Sequence, residues 1–189
     1  MEELIQITRQ LWPSMCPEFE DTLRNSIVRE IIPKKQLVLK EGQTAHHMYF
    51  VEQGCLRGYY LREGNEINSW FMKEGDFVIS IISFYTQMPT EEMIETLEDC
   101  VLWSISYDQL NELYFQYPEF NQVGRLLTER YYVLSEQRTQ NLRKKTADER
   151  YRHLVTSFPD ISNRVPLKFI ASYLGISFET LSRLRAKKW

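Results

Sequence analysis

The spacing of apolar residues changes along this chain, and each change marks a structural boundary. Leu4, Ile7, Leu11 and Trp12 recur at helical steps, which predicts a helix over 2–12 that ends before Pro13. A second helix is predicted over 17–25, with Phe19 and Leu23 facing inward. From Val28 the period shortens. Segments 31–32, 36–40, 48–52, 56–61, 67–72, 77–82, 95–97 and 101–105 read as short strands, separated by Gly42, Gly54, Gly64, Gly75 or charged turns. Many short strands at regular spacing predict a β-sandwich or jelly roll. Glu63-Gly64-Asn65 reads as a hairpin turn inside it.

Helical spacing returns at Tyr107. Residues 107–117 read as a short helix stopped by Pro118. The longest helical stretch then runs over 119–145 without a proline. Phe120, Gly124, Leu127, Tyr131, Leu134, Arg138 and Asn141 follow alternating four- and three-residue steps along it. This heptad-like seam is apolar at first and polar later. It predicts pairing with a second copy through Phe120, Gly124, Leu127, Tyr131 and Leu134. The neighbouring face, with Val123, Leu126 and Val133, is suited to packing on the chain's own β region. Lys144 to Asp148 reads as a hinge. Thr146 or Asp148 caps the next helix, 149–157, whose inward side carries Tyr151, Leu154 and Val155. Phe158-Pro159-Asp160 ends it.

The last segment holds two short helices around one glycine. Leu167, Ile170, Ala171 and Leu174 form an apolar helical face, and Gly175 follows at once, where a helix end favours a residue that tolerates positive φ. Ser177 N-caps a second helix. Thr180 stands three places on, where a full capping box would have Glu or Gln. Leu181 and Leu184 give this helix a thin apolar stripe, and Glu179, Thr180, Ser182, Arg183 and Arg185 occupy the rest of its surface. This is the helix-turn-helix plan, whose second helix enters the major groove of DNA.

The run from Phe169 to Arg185, with Ile170-Ala171, Leu174-Gly175-Ile176-Ser177 and Glu179-Thr180-Leu181-Ser182-Arg183 in order, resembles the helix-turn-helix of Crp/Fnr-type bacterial transcription regulators. Leu39-Lys40-Glu41-Gly42, Met48 to Gly54, Gly75-Asp76-Phe77 and Leu97-Glu98-Asp99 resemble, in the same order, the cyclic-nucleotide-binding domain of that family. The resemblance implies an α+β chain in three parts: a β-roll or jelly-roll sensor over 1–118, a long dimerisation helix over 119–145, and a small, winged helix-turn-helix domain over 146–189. A short strand around 164–166 is what remains for the wing, since nothing after Arg185 leaves room for one.

The resemblance also assigns roles. The recognition helix spans about 177–188. Arg183 is the candidate for a bidentate contact to guanine, and Glu179 for a cytosine amine or for orienting Arg183. Family members often carry arginine before that glutamate. Phe178 stands there instead and suits a thymine methyl. Ser177, Thr180 and Ser182 reach phosphates or bases, and Arg185, Lys187, Lys188 and Lys168 neutralise phosphates. The implied partners are double-stranded DNA, a second copy of the chain, RNA polymerase and an effector of unidentified chemistry, in the cytoplasm and with no membrane.

One departure concerns that effector. The family's phosphate-binding cassette ends in an arginine that grips a cyclic phosphate. Counting back from Leu97-Glu98-Asp99, that position falls near Thr90, beside Glu91 and Glu92, and no Arg or Lys occurs between Lys73 and Arg125. Two carboxylates without a cation repel a phosphate. The expectation is therefore a sensor that does not bind cyclic AMP. Its pocket, around Gly75, Asp76, Ser80, Tyr85, Glu91 and Glu92, is filled by its own side chains or holds an apolar or cationic ligand.

Charge sharpens the division between the parts. The net charge of −3 separates into +7 over 143–189 and −10 over 1–142, as a phosphate-binding module on an acidic body requires. Three widely spaced cysteines, Cys16, Cys55 and Cys100, suit a reducing compartment and give no iron–sulfur or other metal spacing. His46-His47 lie in a turn, and no metal, cofactor or catalytic constellation is assigned. A second function class stays open: a small-molecule sensor that acts through protein partners and carries a vestigial DNA module.

Overall fold

The computed structural model describes residues 1–186. Helices α1 (Glu2–Leu11) and α2 (Pro17–Ser26) precede eight short strands: β1 (Val28–Ile32), β2 (Leu37–Leu39), β3 (His47–Gln53), β4 (Leu56–Arg62), β5 (Asn65–Met72), β6 (Phe77–Val78), β7 (Met93–Thr96) and β8 (Cys100–Ser106). Helix α3 (Ile81–Thr86) lies between β6 and β7. The strands form two antiparallel four-stranded sheets, ordered β1-β8-β3-β6 and β2-β7-β4-β5. Non-consecutive neighbours in both sheets give the jelly-roll crossing expected from the strand spacing. Phe50, Val51, Leu56, Val78, Ile94 and Leu102 fill the space between them and are buried.

Helix α4 (Tyr107–Gln116) starts with a complete capping box. Ser106 accepts from the Gln109 backbone N–H at 3.2 Å, and the Gln109 side chain reaches back to the Ser106 N–H. A 3-10 turn (Pro118–Phe120) leads into α5 (Asn121–Lys144), the longest helix. Helix α6 (Ala147–Ser157) is capped by Thr146, also with a full box to Glu149. Helices α7 (Ile161–Arg164), α8 (Leu167–Leu174) and α9 (Phe178–Ala186) complete the described chain.

Three expectations change. Residues 77–82 do not form one strand: β6 stops at Val78 and α3 begins at Ile81. Ser83 and Phe84 face inward there, while Ile81 and Ile82 are exposed. A run of isoleucines reads as a strand by propensity, and the inward pull of Phe84 at a helical step wins. No strand follows β8 among the described residues, so residues 164–166 supply no wing strand. Arg164 ends a helical turn instead, and Val165 is extended.

The third change concerns the α5 seam. Phe120 is buried, and Leu127 and Tyr131 pack against the core of the β-roll. Tyr114 packs over Gly124. The Phe77 N–H donates to the Tyr131 hydroxyl at 2.8 Å. Four of the five residues expected at a dimer interface therefore face the chain's own sensor domain, and only Leu134 stays exposed. Val123 is buried as expected of the neighbouring face, whereas Val133 points to solvent. A periodic stripe identifies which residues share a face, but it does not identify what covers that face.

Candidate nucleic-acid interface

Helices α8 and α9 meet at Gly175, which adopts φ 64° and ψ 39°. This left-handed geometry strains a residue with a Cβ and suits glycine. The Gly175 N–H donates to the Ser172 carbonyl and the Ile176 N–H to the Ala171 carbonyl, closing the end of α8. Ser177 then caps α9 by accepting from the Thr180 N–H at 3.2 Å. Thr180 brings its own hydroxyl to 3.1 Å from the Ser177 hydroxyl, in place of the carboxylate of a capping box.

Leu181 and Leu184 bury one side of α9 against a cluster containing Ile161, Ile170, Ala171 and Leu174. Each such leucine is worth roughly 1.5–3 kcal/mol of burial. The cluster fixes which side of α9 is left over. That side carries Ser177, Phe178, Glu179, Ser182, Arg183 and Arg185, all exposed, with Thr180 half-buried. Arg183 donates to the Thr180 hydroxyl at 3.3 Å. Hydrogen bonds from the Glu179 backbone N–H and from Ser177 hold the Glu179 carboxyl below its ordinary value, so it is ionised at the N-terminal end of α9. Two cations and one carboxylate thus share the exposed face. Lys187 and Lys188 lie outside the described residues.

The helix-turn-helix is docked on the sensor domain by contacts that sequence reasoning missed. Ser172 of α8 accepts from the Asn68 N–H at 3.0 Å and donates to the Glu66 carbonyl at 2.9 Å, joining α8 to β5. Arg57 of β4 is buried, ion-paired to Glu95 and Glu66, and its guanidinium lies 3.9 Å from the Tyr59 ring centroid and 3.6 Å from that of Phe169 in α8. Arg164 grips Glu74 at 2.8 Å and Glu98 at 2.7 Å. Arg138 of α5 donates to the backbone carbonyls of Asn68, Ser69 and Tyr173. A charged residue between Leu56 and Tyr59 in an apolar strand was the only signal for Arg57 in the sequence.

Burial alone would raise the Glu74 carboxyl, but Arg164 and the backbone N–H groups of Glu74 and Gly54 bring it down to about 2. A carboxyl depressed in the fold adds stability above its unfolded value and loses it as pH falls through the folded one. Arg164→Gln is therefore expected to remove part of the acid sensitivity. Thermal melts from pH 7 down to pH 3 should show the difference between wild type and variant shrinking below about pH 5. A difference that stays constant with pH would contradict this role for Glu74.

The residues expected around the effector pocket do not converge on one opening. Asp76 is drawn inward, where burial raises its carboxyl while the Lys73 N–H donates to it at 3.1 Å. Ser80 and Thr90 are buried with their hydroxyls 3.1 Å apart. Glu92 accepts from the Trp70 indole N–H at 2.8 Å, and burial raises its carboxyl. Tyr85 and Glu91 are exposed. Gly75 sits in the turn after β5 with φ 81°. Trp70 lies directly over Gly58, so this part of the roll is occupied by its own indole. His46 is exposed and paired with Gln87, and no group of three or more potential metal ligands occurs among the described residues. No described helix is long and apolar enough to cross a membrane.

The chain thus combines an antiparallel β-roll, a long helix and a helix-turn-helix. The cyclic nucleotide-binding domain family matches residues 29–117. The chain is 29% identical over 179 residues to the anaerobic regulatory protein of Haemophilus influenzae, covering 87% of this chain and 68% of that one. It is 28% identical over 180 residues to the fumarate and nitrate reduction regulatory protein of Yersinia pestis, covering 87% and 70%. The structure of FixK2 from Bradyrhizobium japonicum superposes with a TM-score of 0.69 at 20% identity, over 85% of this chain and 83% of that one. A Crp/Fnr-family protein from Eubacterium rectale superposes at 0.72 and 18% identity, over 92% and 83%. The chain is thus similar in sequence to anaerobic regulatory proteins and shares the fold of Crp/Fnr-family structures.

Proposed function

We propose that this chain is a Crp/Fnr-type transcription regulator, a homodimer that inserts α9 of each copy into successive major grooves of a near-palindromic site. The observation that carries this reading is the sorting of α9. Its leucines are spent on the cluster beneath, and its polar and basic side chains, Arg183 foremost, are left facing outward. In the dimer reading the two copies meet along the exposed side of α5, where Tyr132, Val133 and Leu134 are 66%, 51% and 50% exposed. The recognition helices then lie roughly 34 Å apart, one turn of DNA.

Arg183 reads guanine through O6 and N7, Phe178 meets a thymine methyl, and Arg185 with Lys187 and Lys188 neutralises phosphates. The sensor does not respond to cyclic AMP. Thr90 stands where the phosphate-gripping arginine would be, it is buried against Ser80, and no Arg or Lys occurs between Lys73 and Arg125. RNA polymerase is the downstream partner.

Selection of bound duplexes from random DNA at near-physiological salt tests the reading. Wild type is expected to enrich a palindromic motif. Arg183→Ala is expected to relax one base position in each half-site and to lose about 10–100-fold in affinity, since a bidentate contact is worth about 1–3 kcal/mol. No enrichment by a folded wild-type protein, or an unchanged motif in Arg183→Ala, would reject it.

A further inference from the structure

Between α5, β5 and the helix-turn-helix runs a groove with about 550 Å³ of open space, within the range of small-molecule sites. Of the residues expected around the effector pocket, Asp76 alone lines it, and Gly75, Ser80, Tyr85, Glu91 and Glu92 do not. Its walls are apolar, with Phe71, Leu134, Leu142 and Tyr173 among them. Its charge is one-sided. Lys73, Arg130, Arg138 and Arg150 line it, and Asp76 is the only carboxylate among its described lining residues.

Arg138 is the group that most needs an explanation. Its guanidinium is paired with backbone carbonyls and stacked 4.3 Å from the Tyr173 ring centroid, with no carboxylate in ion-pair range among the described residues. Its buried Nε–H has no acceptor among them either. Burial pushes its pKa down, as expected of a cation held away from water without a counter-ion. Arg57 and Arg164, which also tie the β-roll to the C-terminal helices, are each matched by two or more acids, whereas Arg150 in the same groove donates to the Leu174 and Lys145 carbonyls. A half-buried charge with no counter-ion is costly, and a binding site for an anion is one arrangement that offsets the cost.

We propose that this groove binds a small organic anion with an apolar body, its acidic group held by Arg138 and its body lying along Phe71, Leu142 and Tyr173. Such a ligand touches α5, β5 and α8 together, and so bears on how the helix-turn-helix sits against the sensor. The proposal concerns binding alone and stands or falls separately from DNA recognition.

The test uses the full chain and 1-anilinonaphthalene-8-sulfonate as probe, with the neutral N-phenyl-1-naphthylamine as its uncharged counterpart. Wild type is expected to bind the sulfonate saturably and more tightly than the neutral arene. Arg138→Gln removes the anchor. Asn141→Asp, nearly isosteric and one turn along α5, places a carboxylate in the groove to occupy Arg138. Each is expected to weaken the sulfonate at least about tenfold, the scale of a charge-assisted contact, and to leave the neutral arene unchanged. If Arg138→Gln fails to fold, Asn141→Asp decides alone. No saturable uptake by wild type, equal binding of both probes, or an unchanged affinity for the sulfonate in Asn141→Asp would overturn the proposal.

Discussion

Arg57→Ala is expected to destabilise the protein by about 3–5 kcal/mol, measured as a shift in the urea unfolding midpoint. Only 3% of the Arg57 side chain is exposed. It donates to Glu95 at 2.7 Å and to Glu66 at 2.7 Å, and it is flanked by the rings of Tyr59 and Phe169. Truncation leaves the half-buried Glu95 carboxylate without its cation, unpairs the exposed Glu66, and removes the surface on which Phe169 rests. Most of the loss comes from the charges left unpaired rather than from the pair itself. Arg57→Met combined with Glu66→Gln and Glu95→Gln should therefore recover a substantial part of it. A single substitution with no effect on the midpoint would show that the guanidinium is dispensable. Because Phe169 belongs to α8, the loss should also loosen the helix-turn-helix, seen as faster amide exchange in α8 than in β8.

Gly58→Ala is expected to have the second large effect, about 1–3 kcal/mol from overpacking alone. A Cβ at position 58 would lie 2.1 Å from the Trp70 ring, so the indole has to leave. It cannot leave without giving up its hydrogen bond to Glu92, whose carboxyl is already raised by burial. The stability loss should come with a red-shifted tryptophan emission, since Trp70 moves toward water. Trp70→Leu in the Gly58→Ala background should relieve the clash. Retained stability and emission in Gly58→Ala would mean that the indole does not fill the roll.

These two sites illustrate what periodicity conveys and what it omits. The alternation over 56–61 and 67–72 identified β4 and β5, and their glycine-bearing turn, because a half-buried strand repeats every second residue. It gave no sign that Trp70 lies on Gly58, and for Arg57 no more than a charge within an apolar strand. Both depend on the register of β4 against β5, which pairs Gly58 with Trp70 across the ladder. The ionic contacts of Arg164 with Glu74 and Glu98 span 90 and 66 residues of chain and carry no local pattern at all.

The candidate interface was more legible than the sensor. A turn that needs positive φ, a serine cap and a leucine stripe are local requirements, so Gly175, Ser177, Leu181 and Leu184 announced α8 and α9 before any packing was known. The polar and basic residues left facing outward on α9 follow by subtraction. The jelly roll, the long helix and the absence of a cation between Lys73 and Arg125 were likewise determined by the sequence itself. Tertiary structure alone decided the partner of each face: that Phe120, Leu127 and Tyr131 turn toward the β-roll, that 81–86 coil into a helix, and that Arg138 is half-buried beside a groove, with no acid in ion-pair range among the described residues. Short-range patterns record the free energy of local turns and amphipathic faces. Which distant surface meets each face is set by the summed packing and desolvation of the whole chain, and no single window of residues contains that sum.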